Sequence, residues 1–300
     1  NRFKEKEFLD FEIALPPMTE QNAIVARWSK ARNEIVDAKR RVASFEVEIS
    51  TSVVNALGLK RVEACPDLPK AIALWWKDMI LWDAKFNRLP DNNSTLLKSG
   101  RYSSVRLGDV AYINPSTVIP DIKNEPVAFV PMEAVSDSEG KIVSCRLETF
   151  TKVAKGYTRF QENDVLWAKI TPCMQNGKSA VARNLKNGFG FGSTEFHIIR
   201  ARDTESILPD YIWVLLRMKS VRKLAQKYFV GSAGQQRVPS NFLEDLVIPL
   251  PPLSVQREIM VRVAAGRDEI ARETAKAERL SREISAEIEA LILGTKKIGA

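Results

Sequence analysis

The chain has 300 residues, 45% of them hydrophobic, and a formal net charge of +8; that is enough apolar material for one large or two ordinary domains, and the basic balance suits a polyanionic partner as well as it suits an ordinary basic protein. Its three cysteines, Cys65, Cys145 and Cys173, form no CxxC pair, and His197 is its one histidine, which excludes a disulfide framework and a zinc knuckle and leaves little for His-based or metal chemistry. No apolar run reaches the roughly 18 residues that a membrane span needs, and with no signal peptide at the start the expected setting is reduced and cytoplasmic.

The opening NRFKEKEFLDFEI reads as the middle of a domain, so a stub over 1–15 is expected to belong to a domain that precedes it. Phe11, Ile13 and Leu15 alternate as in a strand and end at Pro16-Pro17, which cannot extend a ladder. Thr19 offers a helix N-cap. Ile24, Trp28, Ala31, Ile35, Ala38, Val42, Phe45, Ile49, Val53 and Ala56 then step by threes and fours, a heptad-like seam that predicts one long helix over 16–59, stopped by Gly58. Residues 60–100 read as a lead-in, with Ile72, Trp75, Trp76, Met79 and Ile80 on one helical face and LPDNNSTLLKSG as a loop.

Residues 101–252 read as an α/β domain. VAFVPM, DVLWAKI, SAVARNL and EFHIIRA are strand-like, and LPDYIWVLLRMKSVRKLAQKYF is one helix with Pro209 near its start. This block holds twenty Lys/Arg and fifteen Asp/Glu, so most of the positive excess lies here. Two loops within it, KITPCMQNGKS and GSAGQQRVPSN, carry the residue types that read base edges. Gln and Asn pair bidentately with adenine, Arg and Lys with guanine, and Ser and Thr hold phosphates. Solvated turns have the same composition, and both readings stand on these residues alone.

The last segment repeats the first. Pro251-Pro252 matches Pro16-Pro17 at an offset of 235, and Gln256, Ile259, Arg262, Glu269-Ile270 and Glu283-Ile284-Ser285 match Gln21, Ile24, Arg27, Glu34-Ile35 and Glu48-Ile49-Ser50. Identities at one fixed offset over about 45 residues signal a structural duplication. Ser254 offers the second N-cap. Ile259, Val263, Gly266, Ile270, Thr274, Ala277, Leu280, Ile284, Ile288 and Leu291 form the second seam, and Gly294 ends the helix of 253–294 before a tail over 295–300. Neither helix buries its stripe alone. Antiparallel packing of one on the other is the economical arrangement; packing of each on its own domain is the alternative. The second helix carries seven Lys/Arg and eight Asp/Glu, too neutral for a DNA clamp.

Several motifs are decoys. NGFGFGS lacks the strand–loop–helix setting and the later acid of a dinucleotide site and reads as a strand-leading turn. Asp164 and Lys169 faintly suggest a nuclease site, but in a strand they point to opposite faces. His197 lies within an apolar strand and reads as packing. No constellation amounts to an enzyme site, and no metal site is expected.

Taken together, VRLGDVAYIN, FQENDVLWAKITPCMQNGKSAVA, GFGSTEFHIIRA, YIWVLLRMKS, GSAGQQRVPSNFLEDLVIPLPPLSVQREI and the closing helix resemble the specificity subunits of type I restriction–modification systems over nearly all of 101–294. The resemblance implies a target recognition domain over 60–252 flanked by two antiparallel spacer helices, all non-catalytic. It implies double-stranded DNA, methyltransferase subunits and restriction (motor–nuclease) subunits as partners. No cofactor is expected on this chain; S-adenosylmethionine, ATP and Mg²⁺ belong to those partners. It implies DNA-reading roles for Lys169, Thr171, Gln175, Asn176, Lys178, Ser193, Ser232, Gln235, Gln236 and Arg237. With one complete recognition domain in view, the chain is either part of a full subunit or a half-subunit that pairs with itself. A protein-binding coiled-coil adaptor and a stand-alone DNA-modifying enzyme are the alternatives from other classes.

Overall fold

The computed structural model describes residues 14–59, 96–119, 125–232 and 234–296. The strand expected around Phe11, Ile13 and Leu15, the tryptophan helix of the lead-in and the tail beyond 296 fall largely or wholly outside them. The chain divides into two compact units, one drawn from Asn1–Glu48 and Ala265–Ala300, the other Ile49–Ala264.

The first unit is the greater part of a helix pair, whose stretches from Ile49 onward in the first helix and up to Ala264 in the last belong to the second unit. α1 spans Met18–Leu57 and the final helix, α8, spans Leu253–Ile292, each of 40 residues, or roughly 60 Å at 1.5 Å per residue. Both end at glycines in the left-handed region, Gly58 at φ 58° and Gly294 at φ 71°, where Leu59 N–H reaches back to Val54 O and Thr295 N–H to Ala290 O, the closing bonds of a Schellman turn. The helices run antiparallel. Arg27 pairs with Glu287 at 2.8 Å and Arg41 with Glu273 at 2.9 Å, so fourteen steps forward on α1 match fourteen steps back on α8. The sequence repeats at an offset of 235. Under that register the pair is its own image about a two-fold crossing α1 near Lys39 and α8 near Thr274.

The seam positions are buried or half-buried, with Ala31, Ala38, Ala277 and Ile284 among the most covered, and Ile35, Val42, Phe45, Ile270 and Ile288 half-covered. Trp28 departs from the expectation: it is 45% exposed, with the Arg32 guanidinium 4.9 Å from its ring. The register sets it opposite Ala286, and a small residue on a two-helix contact cannot cover an indole. Thr19 and Ser254 are also corrected. The helices begin one residue earlier, so their hydroxyls lie on the first turn. The prolines hold the entry instead, Pro17 O and Pro252 O accepting from Gln21 N–H and Gln256 N–H.

The second unit has a layered α+β core, consistent with the expected α/β class. β1 (Ser104–Arg106) pairs with β10 (Val247–Pro249), and a one-turn helix α2 (Leu107–Val110) leads to β2 (Ala111–Ile113). One four-stranded sheet has the order β2, β9 (Phe196–Ala201), β6 (Val165–Ala168), β7 (Ser179–Val181), all antiparallel. The other has the order β4 (Arg146–Thr149), β3 (Pro126–Val130), β8 (Phe189–Gly192), β5 (Thr158–Gln161), with β3 and β8 parallel. Short helices α3 (Phe150–Val153) and α4 (Cys173–Asn176) sit in connections. α5 (Pro209–Arg217), α6 (Lys219–Lys227) and α7 (Ser240–Glu244) complete the unit.

β6 shows how the layers form. Val165 and Trp167 enter the core shared with α5, α6 and α7; Leu166 and Ala168 enter the core between the two sheets. A strand covered on both faces needs no polar alternation, and VLWA has none. NGFGFGS contributes a turn at Lys186–Gly188 and then β8 itself. Gly190 is required there, since a Cβ would lie 2.8 Å from the Phe160 ring. The helix expected over 209–228 is broken at Met218, which takes φ −54° and ψ 132°. The break separates α5, buried from Tyr211 through Leu216, from α6, which buries one face only.

The duplicated glutamine has a physical role. Gln21 Nε2 donates to Pro16 O at 2.8 Å and Gln256 Nε2 to Pro251 O at 2.9 Å, so each copy ties its own proline corner to the helix. Gln256 is fully buried and also bonds Ser206 O and Leu208 N–H. Gln256→Leu strands these groups and is expected to cost about 2–4 kcal/mol, against less than about 1 kcal/mol for the half-exposed Gln21→Leu. Urea midpoints for the two variants check this; equal losses would deny Gln256 its bracing role.

Candidate nucleic-acid interface

Three loops meet at one end of the β6–β9 pair. β6 runs into residues 169–178, a turn over 193–195 precedes β9, and α6 runs into residues 229–238. Backbone bonds fasten them. Lys169 N–H donates to Glu195 O at 2.9 Å, Val238 N–H to Lys169 O at 2.9 Å, and Thr171 N–H to Gln236 O at 3.0 Å. The third loop closes on itself where Val230 and Arg237 exchange backbone bonds at 3.0 and 2.9 Å.

Side chains lock the same junction. Arg237 grips the Glu195 carboxylate through Nε and Nη2 at 2.7–3.1 Å, and its Nη1 donates to Gln235 O at 2.9 Å. That grip holds the Glu195 carboxyl below the usual carboxylate range. Behind the junction His197 Nε2 donates to Val238 O at 2.8 Å and Nδ1 accepts from Asn114 Nδ2 at 3.0 Å. Trp167 stacks on the imidazole at 6.3 Å. Burial pushes the His197 pKa down to about 4, so the ring is neutral at pH 7 and its carbonyl acceptor sets the Nε2-protonated tautomer. It is a packing residue, as its apolar strand suggested.

The ten residues singled out from the sequence divide into two groups. Thr171, Gln175, Lys178, Ser193 and Arg237 already hold side-chain hydrogen bonds within the protein. Thr171 Oγ1 donates to Gln175 Oε1 at 2.5 Å, and Ser193 Oγ accepts from Glu195 N–H at 3.2 Å. Lys178 turns inward and donates to Met132 O and Val135 O at 3.2 and 2.9 Å, so it is a framework residue that ties the first loop to the β3 turn. Arg237 likewise shapes the platform, with Nε–H and one N–H of each Nη engaged within the protein. Asn176, Ser232 and Gln235 are exposed and Gln236 half-exposed, and their side chains make no hydrogen bond with the described residues. Lys169 is half-buried beside Glu195. Free amides on a fastened backbone suit recognition, since little ordering remains to be done on binding.

Glu195 was not among the sequence candidates. Its spacing from Lys169 and Arg237 carries no signal, since the β6–β9 pairing brings Glu195 to Lys169 and the bridge between Ile170 and Arg237 brings in the third loop. Asp164, the supposed nuclease acid, is buried and spent. It accepts from Arg200 Nε and Nη2 at 2.7 Å each and from Gln161 N–H at 2.8 Å. Among the described residues no group of three His, Cys, Asp or Glu could hold a metal ion, and no helix is long and apolar enough to cross a membrane.

The chain is similar to known proteins in sequence and in fold. Over 158 residues the chain is 37% identical to the type I restriction enzyme EcoEI specificity subunit of Escherichia coli, covering 52% of this chain and 26% of that one. Over 153 residues it is 37% identical to the EcoAI specificity subunit of the same organism, covering 51% and 26%. The chain thus spans about a quarter of these relatives' length. A chain in a solved structure of a type I R-M system, concerned with its assembly and conformational transition, shares the fold at a TM-score of 0.52 and 18% identity, over 93% of this chain and 60% of that one. Residues 100–280 match the family model for the type I restriction modification DNA specificity domain, and the chain belongs to that family.

Proposed function

We propose that this chain reads one half of a bipartite DNA target and scaffolds methyltransferase and restriction subunits, doing no chemistry itself. The observation that carries this reading is the three-loop platform, which presents the free amides of Asn176, Gln235 and Gln236 from a hydrogen-bonded base. Family membership and the specificity-subunit names of the relatives support the choice of DNA over a protein ligand. In this reading the exposed amides meet base edges, Ser232 and Lys169 meet phosphates, and Arg237 with Glu195 holds the loops in register. The antiparallel helices act as a spacer of fixed length. Methyl donor, ATP and Mg²⁺ are then the business of the partner subunits.

The test is methylome sequencing of host cells carrying the intact system or its Gln236→Ala variant. One position in one half of the methylated motif is expected to relax, by about 10- to 100-fold in discrimination, as a lost bidentate contact implies. The other half of the motif stays unchanged. A motif identical in both strains would sink the assignment of Gln236, and methylation independent of this chain would sink the function.

A further inference from the structure

α6 was read from the sequence as part of a packing helix, and its outer face has no role in the platform so far. Its sequence is KSVRKLAQK, without an acidic residue. Val221, Leu224 and Ala225 bury the inner face. Lys219, Lys223 and Lys227 are exposed at spacings of four on the outer face and form no ion pair with the described residues. Like charges at this spacing oppose each other on a helix surface, so the row weakens the fold and is not repaid within the unit. Eight residues at 1.5 Å per residue make it about 12 Å long.

Its position gives it a use. Arg222, between the lysines in sequence, donates from Nη1 to Gln175 O and from Nε to Arg217 O at 3.2 Å, pinning α6 to the first loop. α4, within that loop, packs on α6. The C-terminus of α6 runs straight into the third loop, with the Tyr228 ring packed at 5.0 Å against Phe242, the two planes tilted by 55°. The lysine row therefore adjoins both loops that carry the free amides. A lysine is a point charge suited to a phosphate rather than a fork suited to a base.

We propose that Lys219, Lys223 and Lys227 grip the phosphate backbone of the duplex whose bases the adjoining loops read. This rests on the DNA-reading function proposed above. It assigns α6 the sequence-independent part of binding and leaves discrimination to the loops.

The test uses the protein co-purified with the subunits that accompany it in its host. Binding of a motif-containing and a scrambled duplex is measured between 50 and 200 mM salt for the wild type, for K219Q/K223Q/K227Q and for Gln236→Ala. Glutamine keeps helix propensity and sits on an exposed face, so thermal stability should hold. For the triple variant the log–log salt slope is expected to become shallower by up to about 2.7, at about 0.9 per phosphate contact. Between 50 and 200 mM the triple variant should therefore lose up to about 40-fold less affinity than the wild type, its deficit being largest at the lowest salt and alike for both duplexes. The motif-to-scrambled ratio should stay put, whereas Gln236→Ala should change the ratio and spare the slope. A wild-type slope and affinity in the triple variant would overturn the proposal. So would loss of a subunit from the complex with the slope intact, which would make the row a protein-docking face. A wild-type complex that binds both duplexes equally would instead overturn the DNA-reading function beneath it.

Discussion

Asp164→Ala is expected to destabilise the recognition unit by about 3–5 kcal/mol, because it leaves the Arg200 charge without its partner inside the protein. The carboxylate is 1% exposed and the guanidinium 19%. Arg200 spans Asp164 with two bonds of 2.7 Å and reaches Thr117 Oγ1 at 2.8 Å. Asp164 lies where the chain leaves β5 of one sheet and enters β6 of the other, and Arg200 is on β9. The pair therefore clamps β6 to β9 at one end, while Lys169 and Glu195 close the other end beside the platform. A second variant separates loss of a charge partner from loss of shape. Asp164→Leu with Arg200→Met exchanges the ion pair for apolar bulk and should recover most of the stability, since such exchanges are often neutral. Urea unfolding of both variants reads the difference. A single substitution costing under about 1 kcal/mol, in the range of ordinary surface changes, would show that the clamp bears no weight.

The long helices were legible in the sequence because their seams repeat every three to four residues over 40 positions and end at Gly58 and Gly294. The antiparallel arrangement followed from two similar stripes with nothing else in view to cover them. Trp28 escaped because periodicity reports direction and not how much the partner can cover. The break at Met218 escaped for a related reason. No Gly or Pro marks it, and the apolar steps continue across it, so only the need of α5 for burial on all sides separates the two helices. β8 was half seen: FGFG signalled a turn by its glycines, yet Gly190 serves a strand packed against Phe160.

The recognition platform was legible as chemistry but not as assembly. Loop composition pointed to Asn176, Gln235 and Gln236, of which the first two are exposed and the third half-exposed. It could not tell them from Lys178 and Arg237, whose partners come from 40 or more positions away. Which polar side chain is free and which is framework depends on strand pairing, and strand pairing is non-local. The duplicated glutamines lie between these cases. Their repetition was visible at once, whereas their bonds to Pro16 O and Pro251 O follow only from the corner geometry.

Stability should fall as the pH drops from 6.5 toward 4, with His197 as the cause. Desolvation is the largest influence on the imidazole; the Val238 carbonyl and Glu195 favour its charged form, and Lys169 opposes it. The folded pKa of about 4 lies below the ordinary 6.5. Between those values the unfolded chain binds a proton that the folded one refuses, so unfolding gains as acid is added. The stabilisation from the neutral ring is complete above pH 6.5 and is lost through the window down to about 4. At about 1.36 kcal/mol per pH unit the full loss is roughly 3 kcal/mol, about 2 kcal/mol of it between pH 6.5 and 5, before ordinary carboxylates titrate. His197 is the one histidine in the chain, so that upper window belongs to it. Protonation also turns Nδ1 from an acceptor of Asn114 Nδ2 at 3.0 Å into a donor, for which Asn114 Oδ1, already accepting from Ile198 N–H at 3.1 Å, lies at 3.3 Å. The cost of charging this buried ring falls on the residue that holds Val238, directly beyond Arg237, so sequence discrimination should decay along with stability. Urea midpoints between pH 7.5 and 5 would measure the first effect and the motif-to-scrambled binding ratio the second. A His197→Gln variant should be less stable at pH 7.5 yet flat across the window. A wild type equally flat from 7.5 to 5 would show that the imidazole is not excluded from charging, and the link from β9 to the reading loop would lose its physical basis.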